Sequence, residues 1–149
     1  MILLDTCVLA RLPDTSSPDR PRARSAVAKL LRGDLEMVIV PQNIYEFWAV
    51  ATRKRGAVAV GGQNGLSMPL EMAALWIRRF QNLCRVLPEV PEILPLWQSL
   101  VISQKVGGFK AHDLRLVAAM QAHGIGKLLT FNAKHFKGMG IEVIDPGDL

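Results

Sequence analysis

The chain has 149 residues, half of them hydrophobic, and 18 Lys and Arg against 13 Asp and Glu give a formal net charge of +5. A chain of this length and apolar content can bury a core without metal or disulfide cross-links, so we expect one domain over residues 1–149. Its apolar runs are shorter than the ~18 residues of a membrane span, and its first residues lack a basic leader, which predicts a cytoplasmic protein with no membrane segment.

Short apolar runs alternate with amphipathic stretches in the first half of the chain. MILL at 1–4 and MVIV at 37–40 are typical of buried strands. After a Pro- and Ser-rich loop, a helix is predicted from Pro21 to the glycine at 33, and a second helix over 43–55, after the next proline.

The second half continues the same alternation. Residues 56–68 contain four glycines and almost no charge, which predicts a mobile loop. Helices are then predicted at 69–83, 91–105 and 113–124, and strands at 84–87 (CRVL), 127–130 (KLLT) and 141–144 (IEVI). Strands that alternate with helices indicate an α/β fold, with a central parallel sheet between two layers of helices.

Polar residues follow several of these strands. Asp5 ends the first strand, Glu46 lies one turn into the helix after the second, Asp113 opens the helix before KLLT, and Asn132 follows KLLT. In parallel sheets, functional groups collect outside the carboxyl ends of the strands. Carboxylates gathered in one cleft repel each other unless a cation neutralises them, and oxygen ligands suit Mg²⁺ or Mn²⁺.

Basic residues cluster in three segments, at 20–32, 53–55 and 78–79, and favour a polyanionic partner such as nucleic acid or an acidic protein segment. A metal site beside basic surface suits a phosphodiester, because the metal can activate water for in-line attack and offset charge on the phosphate. The residues therefore indicate hydrolysis of RNA or DNA.

Local explanations compete for two of the three acids. Glu46 lies three residues after Asn43, the spacing of a capping box. Asp113 is in a first helical turn, where the helix dipole favours a carboxylate. Asp5, directly after an apolar strand, has no such local explanation.

Other polar residues are open to two interpretations. His112, Arg115 and Thr130 are candidate substrate contacts, although an ordinary hydrogen-bonding or surface role explains His112 and Arg115 as well. His135 is predicted to be a surface residue. Cys7 and Cys84 have no CxxC spacing, which predicts buried thiols rather than a zinc site or a disulfide.

Three stretches resemble PIN-domain ribonucleases, particularly the VapC-like toxins of bacterial and archaeal toxin–antitoxin pairs: LLDTCVLA, PQNIYEF and AHDLRLVAAMQAHGIGKLLTFNAKHF. The resemblance spans nearly the whole chain. It implies a PIN-like α/β/α sandwich, Mg²⁺- or Mn²⁺-dependent endoribonuclease activity, a small cognate antitoxin as partner, and a homodimer.

By position, Asp5, Glu46 and Asp113 match the metal-binding acids of that family. Thr6 matches its small hydroxyl residue and is a further candidate substrate contact. The fourth acidic position falls on Asn132, which keeps an acceptor oxygen but lacks the charge.

This departure from the family pattern suggests one tightly held metal rather than two. Asp5 and Asp113 would bind it, with Glu46 direct or through water, while Asn132 would position water or another ligand of the metal. Asp145 could supply the missing charge, but we expect it to start the DPG turn instead.

Two alternatives to an endoribonuclease remain. A PIN-fold RNA-binding or scaffold protein would no longer cut, although it would have no chemical reason to keep three mutually repelling acids. A DNA nuclease would differ only in substrate.

Overall fold

The computed structural model describes residues 1–56 and 65–149. In these ranges the chain forms five strands, six α-helices and one 3-10 helix. The strands are β1 (Ile2–Leu4), β2 (Met37–Ile39), β3 (Arg85–Val86), β4 (Lys127–Leu129) and β5 (Glu142–Ile144). The helices are α1 (Thr6–Arg11), α2 (Arg20–Arg32), α3 (Pro41–Thr52), α4 (Leu70–Leu83), α5 (Ile93–Ser103), α6 (Lys110–Ala122) and the 3-10 helix Ala133–Phe136.

All five strands pair in parallel, in the order β3-β2-β1-β4-β5. This confirms the predicted α/β fold with a parallel central sheet. The chain builds outward from β1 to β2 and β3 on one side, then returns to place β4 and β5 on the other. A crevice forms outside the carboxyl ends of the strands at such a switch point, here between β1 and β4.

The central strands β2, β1 and β4 are largely buried on both faces, which explains their continuous apolar runs, whereas the edge strands β3 and β5 are partly exposed. Ile2 and Leu4 point into one apolar cluster, which is packed by α1 to α4. Leu3 points into a second cluster on the opposite face, packed mainly by α5 and α6. The alternation follows from the two-residue period of a strand.

One helix was not predicted, and the start of another needs correction. Helix α1 has only six residues, five of them buried, so tertiary packing stabilises it more than its local sequence does. Helix α6 begins at Lys110 rather than at Asp113. Asp113 therefore lies within the first turn, where a carboxylate still complements the helix dipole.

The capping box proposed for Asn43 and Glu46 is wrong. Helix α3 starts at Pro41, so Asn43 lies inside the first turn, and its Oδ1 accepts a hydrogen bond of 2.9 Å from the backbone N–H of Val40. Asn43 thus caps the helix from within. The side chain of Glu46 does not cap the helix and instead accepts hydrogen bonds from Thr6 and Gln42.

The loop predicted at 56–68 falls largely on residues 57–64, which lie outside the described residues. Its described end is attached to α3, since the backbone N–H of Leu66 donates to the carbonyl of Val50, and that of Met68 to the carbonyl of Ala51. None of the helices in the two described ranges is long and apolar enough to cross a membrane.

Candidate functional site

A cavity of about 340 Å³ lies at the carboxyl ends of β1 and β4. The four predicted site residues, Asp5, Glu46, Asp113 and Asn132, all line it. Strands β1 and β4 are neighbours in register, with Leu4 opposite Leu129, so Asp5 lies beside Thr130 and Asn132 follows two residues later. Glu46 reaches the cavity from the second turn of α3, and Asp113 from the first turn of α6.

Asp5 is held by two side-chain donors. The Thr130 hydroxyl donates to Asp5 Oδ2 at 2.5 Å, at the short end of the range for a charge-assisted bond, and the Cys7 thiol donates to the same oxygen at 3.1 Å. Thr130 is fully buried and also accepts the backbone N–H of Asn132 at 2.9 Å. Thr130 therefore positions Asp5 and the following turn, and is not placed to contact a substrate.

Cys7 is a buried hydrogen-bonding group. Burial, followed by the charge of Asp5, raises the pKa of the Cys7 thiol well above its usual range, so the thiol stays protonated and can donate. Its sulfur also accepts the backbone N–H of Phe131 at 3.3 Å. Burial likewise raises the pKa of Cys84 to about 12. Both cysteines are free and buried, as predicted.

Each carboxylate oxygen of Glu46 accepts a different donor. The Thr6 hydroxyl donates to Oε2 at 2.7 Å, and the Gln42 amide donates to Oε1 at 2.8 Å. The side-chain amide of Asn43 in turn donates to the Thr6 hydroxyl at 3.3 Å. Thr6 lines the cavity, but its hydroxyl proton is committed to Glu46.

Asp113 lies in an environment that disfavours its ionised form. Burial raises its pKa; His135, whose Nδ1 lies 3.2 Å from Asp113 Oδ2, acts in the opposite direction, and repulsion from Asp5 and Glu46 raises the pKa further. The net direction is upward. The influence of the other two acids on Asp113 shows that the three carboxylates share one electrostatic environment.

The structure also places the remaining predicted residues. His112 lines the cavity, and its ring stacks on Phe109 with 6.5 Å between ring centroids. Arg115 does not line the cavity; it donates to Gln42 and to Glu89. Asp145 is also outside it: the carboxylate lies 2.6 Å from Arg22 and accepts the backbone N–H of Gly147, which confirms the predicted turn.

Four residues of the site were missed from the sequence: Gln42, which holds Glu46, and Arg53, Lys110 and His135, which line the cavity. The position of Gln42, four residues before Glu46 on one helix, is a signal that the pair can interact. His135 carried no comparable signal, because only the 3-10 helix after Asn132 brings it back to Asp113.

The donor set suits a hard divalent cation in chemistry and charge, since three carboxylates and an amide line one cavity. Across residues 1–56 and 65–149, however, no three His, Cys, Asp or Glu side chains stand ready as a metal-binding group. The carboxylates of Asp5, Glu46 and Asp113 instead contact separate protein partners. A cation would relieve the repulsion that Asp5 and Glu46 exert on Asp113.

Thr130→Val should destabilise the fold by about 1–3 kcal/mol, because it removes a donor from a buried carboxylate and an acceptor from a backbone N–H. Denaturant unfolding measures this. Thr130→Ser, which keeps the hydroxyl, is the control and should retain most of the stability. Equal stability of the Val and Ser variants would contradict the assigned role.

Asp113→Asn should raise the Tm in EDTA at pH 7. When the pKa of an acid is higher in the folded than in the unfolded state, the protein loses stability as pH rises from the unfolded pKa, about 3.9, through the folded pKa. Removing the charge therefore stabilises the fold above that window, and the gain should shrink as pH falls towards 3. Differential scanning calorimetry across pH, with exposed Asp34→Asn as the control, tests this. A lower Tm for Asp113→Asn at pH 7 would show that the His135 contact outweighs repulsion.

No family model matches this sequence, and no curated protein is similar to it in sequence. Solved structures do match. VapC20 of Mycobacterium tuberculosis, described as a sarcin–ricin loop cleaving toxin, has a TM-score of 0.66 at 14% identity, over 91% of this chain and 92% of that one. VapBC2 of Rickettsia felis, bound to promoter DNA, has a TM-score of 0.69 at 12% identity, over 97% of this chain and 98% of that one. FitAcB of Neisseria gonorrhoeae gives 0.64 at 19% identity, over 100% of both chains. The chain therefore has the fold of the VapC toxins, the PIN-domain fold that its sequence resemblance implies.

Proposed function

We propose that this protein is a divalent-metal-dependent endoribonuclease and the toxin of a toxin–antitoxin pair. The observation that carries the proposal is the convergence of Asp5, Glu46 and Asp113 on one cavity at the switch point of the sheet. The fold shared with VapC toxins supports it, and VapC20, described as a sarcin–ricin loop cleaving toxin, favours RNA as the substrate.

In this proposal Asp5, Glu46 and Asp113 hold one Mg²⁺ or Mn²⁺. When bound, the cation activates a water and offsets charge on the scissile phosphate. Thr130 and Cys7 keep Asp5 aimed at the cavity, and Thr6 keeps Glu46 there. The Asn132 side chain supplies an acceptor oxygen for water without adding a fourth negative charge.

Basic residues at the cavity suit a polyanion. Arg53, Lys110, His112 and His135 line the same space as the acids. In this proposal they contact backbone phosphates of the RNA, which contributes affinity without reading sequence. The acids and the bases thus have separate tasks in one cavity.

An antitoxin and a second copy of the chain are the proposed protein partners. Both come from the resemblance to VapC-like toxins, and one structural match is described as a toxin–antitoxin complex from Klebsiella pneumoniae. An antitoxin segment could inhibit by placing a cation among the three carboxylates, in competition with the metal.

The second candidate is a PIN-fold RNA-binding protein that does not cut. It is favoured by the absence, within the described ranges, of a ready-formed metal-binding group. It is disfavoured by the cost of keeping Asp113 next to two other acids, because that repulsion gives an RNA-binding surface no benefit.

Cleavage of a structured RNA by purified, antitoxin-free protein tests the proposal. The wild type should cut with Mg²⁺ or Mn²⁺ and not with EDTA, and Asp5→Asn should lower the rate by about 100-fold or more, since it weakens the metal site. Exposed Asp34→Asn is the matched control and should cut normally. Folded wild type that binds RNA but cuts with neither metal would favour the second candidate.

Asn132→Asp tests the single-metal hypothesis. Calorimetric titration of the wild type with Mn²⁺ should give one tight site. The added carboxylate should strengthen a second site by about tenfold or more, because a unit charge a few ångströms from a cation is worth several kcal/mol near a protein surface. Two tight sites of similar affinity in the wild type would overturn the hypothesis.

A further inference from the structure

Gln42 forms hydrogen bonds to both helices that bring acids to the cavity, α3 and α6. It lies on α3, is 6% exposed, and one turn separates it from Glu46. Its amide nitrogen donates to Glu46 Oε1 at 2.8 Å and to the backbone carbonyl of His112 at 2.9 Å. His112 directly precedes Asp113 in the first turn of α6. One side chain therefore contacts both the second acid and the turn that carries the third.

The chemistry of the partners fixes the orientation of this amide. The Gln42 oxygen accepts from Arg115 Nη1 at 2.8 Å, and a guanidinium can only donate. The other two partners, a carboxylate and a carbonyl, can only accept. Turning the amide over would create three unfavourable contacts at once, so the nitrogen must face Glu46 and His112.

Arg115 is itself held in place. Its Nη2 lies 2.7 Å from the carboxylate of Glu89, in the segment after β3. The chain of contacts thus runs from Glu89 through Arg115 and Gln42 to Glu46. Arg115, predicted as a candidate substrate contact, is engaged behind the cavity wall instead.

We propose that Gln42 is a positioning residue for the metal site, and that Arg115 orients it. Gln42 holds the Glu46 carboxylate towards the cavity and keeps the turn bearing Asp113 at a fixed distance from it. This inference rests on the proposed metal-dependent function. Partners that orient ligands behind a metal site typically change metal affinity by about 10- to 100-fold when they are removed.

Gln42→Met keeps the length of the side chain and removes all three hydrogen bonds. Titration calorimetry with Mn²⁺ should show about tenfold weaker binding than in the wild type. The exposed glutamine of α4 provides the matched control, since Gln81→Met makes the same chemical change away from the site and should leave the affinity unchanged.

A double-mutant cycle separates positioning from a general structural role. With Glu46→Ala as background, adding Gln42→Met should lower Mn²⁺ affinity by clearly less than tenfold, because the Glu46 ligand is gone and only the effect on the turn bearing Asp113 remains. An unchanged tenfold loss in that background would overturn the proposal, as would wild-type affinity in Gln42→Met alone.

Arg115→Met provides a second route if Gln42→Met does not fold. It leaves Gln42 in place but removes one of the three hydrogen bonds that orient its amide, and should weaken Mn²⁺ binding by about two- to fivefold. Unchanged binding would contradict the orienting role of Arg115. Failure of the wild type to bind Mn²⁺ at all would instead count against the proposed function, so the two failures are distinguishable.

Discussion

The burial of Asp5 is the constraint on which the site depends. This carboxylate follows a strand enclosed on both faces by apolar clusters and is only 8% exposed. A charge in such a place is tolerated only if it is hydrogen-bonded. Among the described residues, the buried polar side chains are Asp5, Thr6, Gln42, Asn43 and Thr130. Each belongs to the hydrogen-bond network around Asp5 and Glu46, so the core accepts buried polar groups where the candidate site lies.

That network also bears on the local explanations for the three acids. The capping-box explanation for Glu46 fails, because Asn43 caps α3 and the Glu46 carboxylate is directed to Thr6 and Gln42. The helix dipole still favours Asp113 in the first turn of α6, yet burial and the neighbouring acids make its ionised form unfavourable there. A local role in the helix therefore does not account for the whole arrangement.

The sequence was sufficient for the parallel sheet and for the edge where the acids meet. Continuous apolar runs reveal buried strands, and a residue that follows such a run must lie at a carboxyl end. It was not sufficient for α1, which is short and depends on burial. The contacts of Cys7, Thr130 and His135 could not be predicted from the sequence either. Each contact depends on which strands are neighbours or on a turn with no local sequence pattern.

At Asn132, the conformation of the turn and the charge of the cavity depend on different groups of the same residue. The turn after β4 is fixed by the backbone N–H of Asn132, which donates to Thr130, and by the N–H of Phe131, which donates to Cys7. Neither bond uses the side chain at position 132, so an asparagine or an aspartate can occupy the same turn. What changes is the charge of the cavity: with asparagine, three carboxylates face one cavity that His135 also lines. The residue at this position therefore changes the negative charge of the cavity without changing the hydrogen bond by which Thr130 holds Asp5.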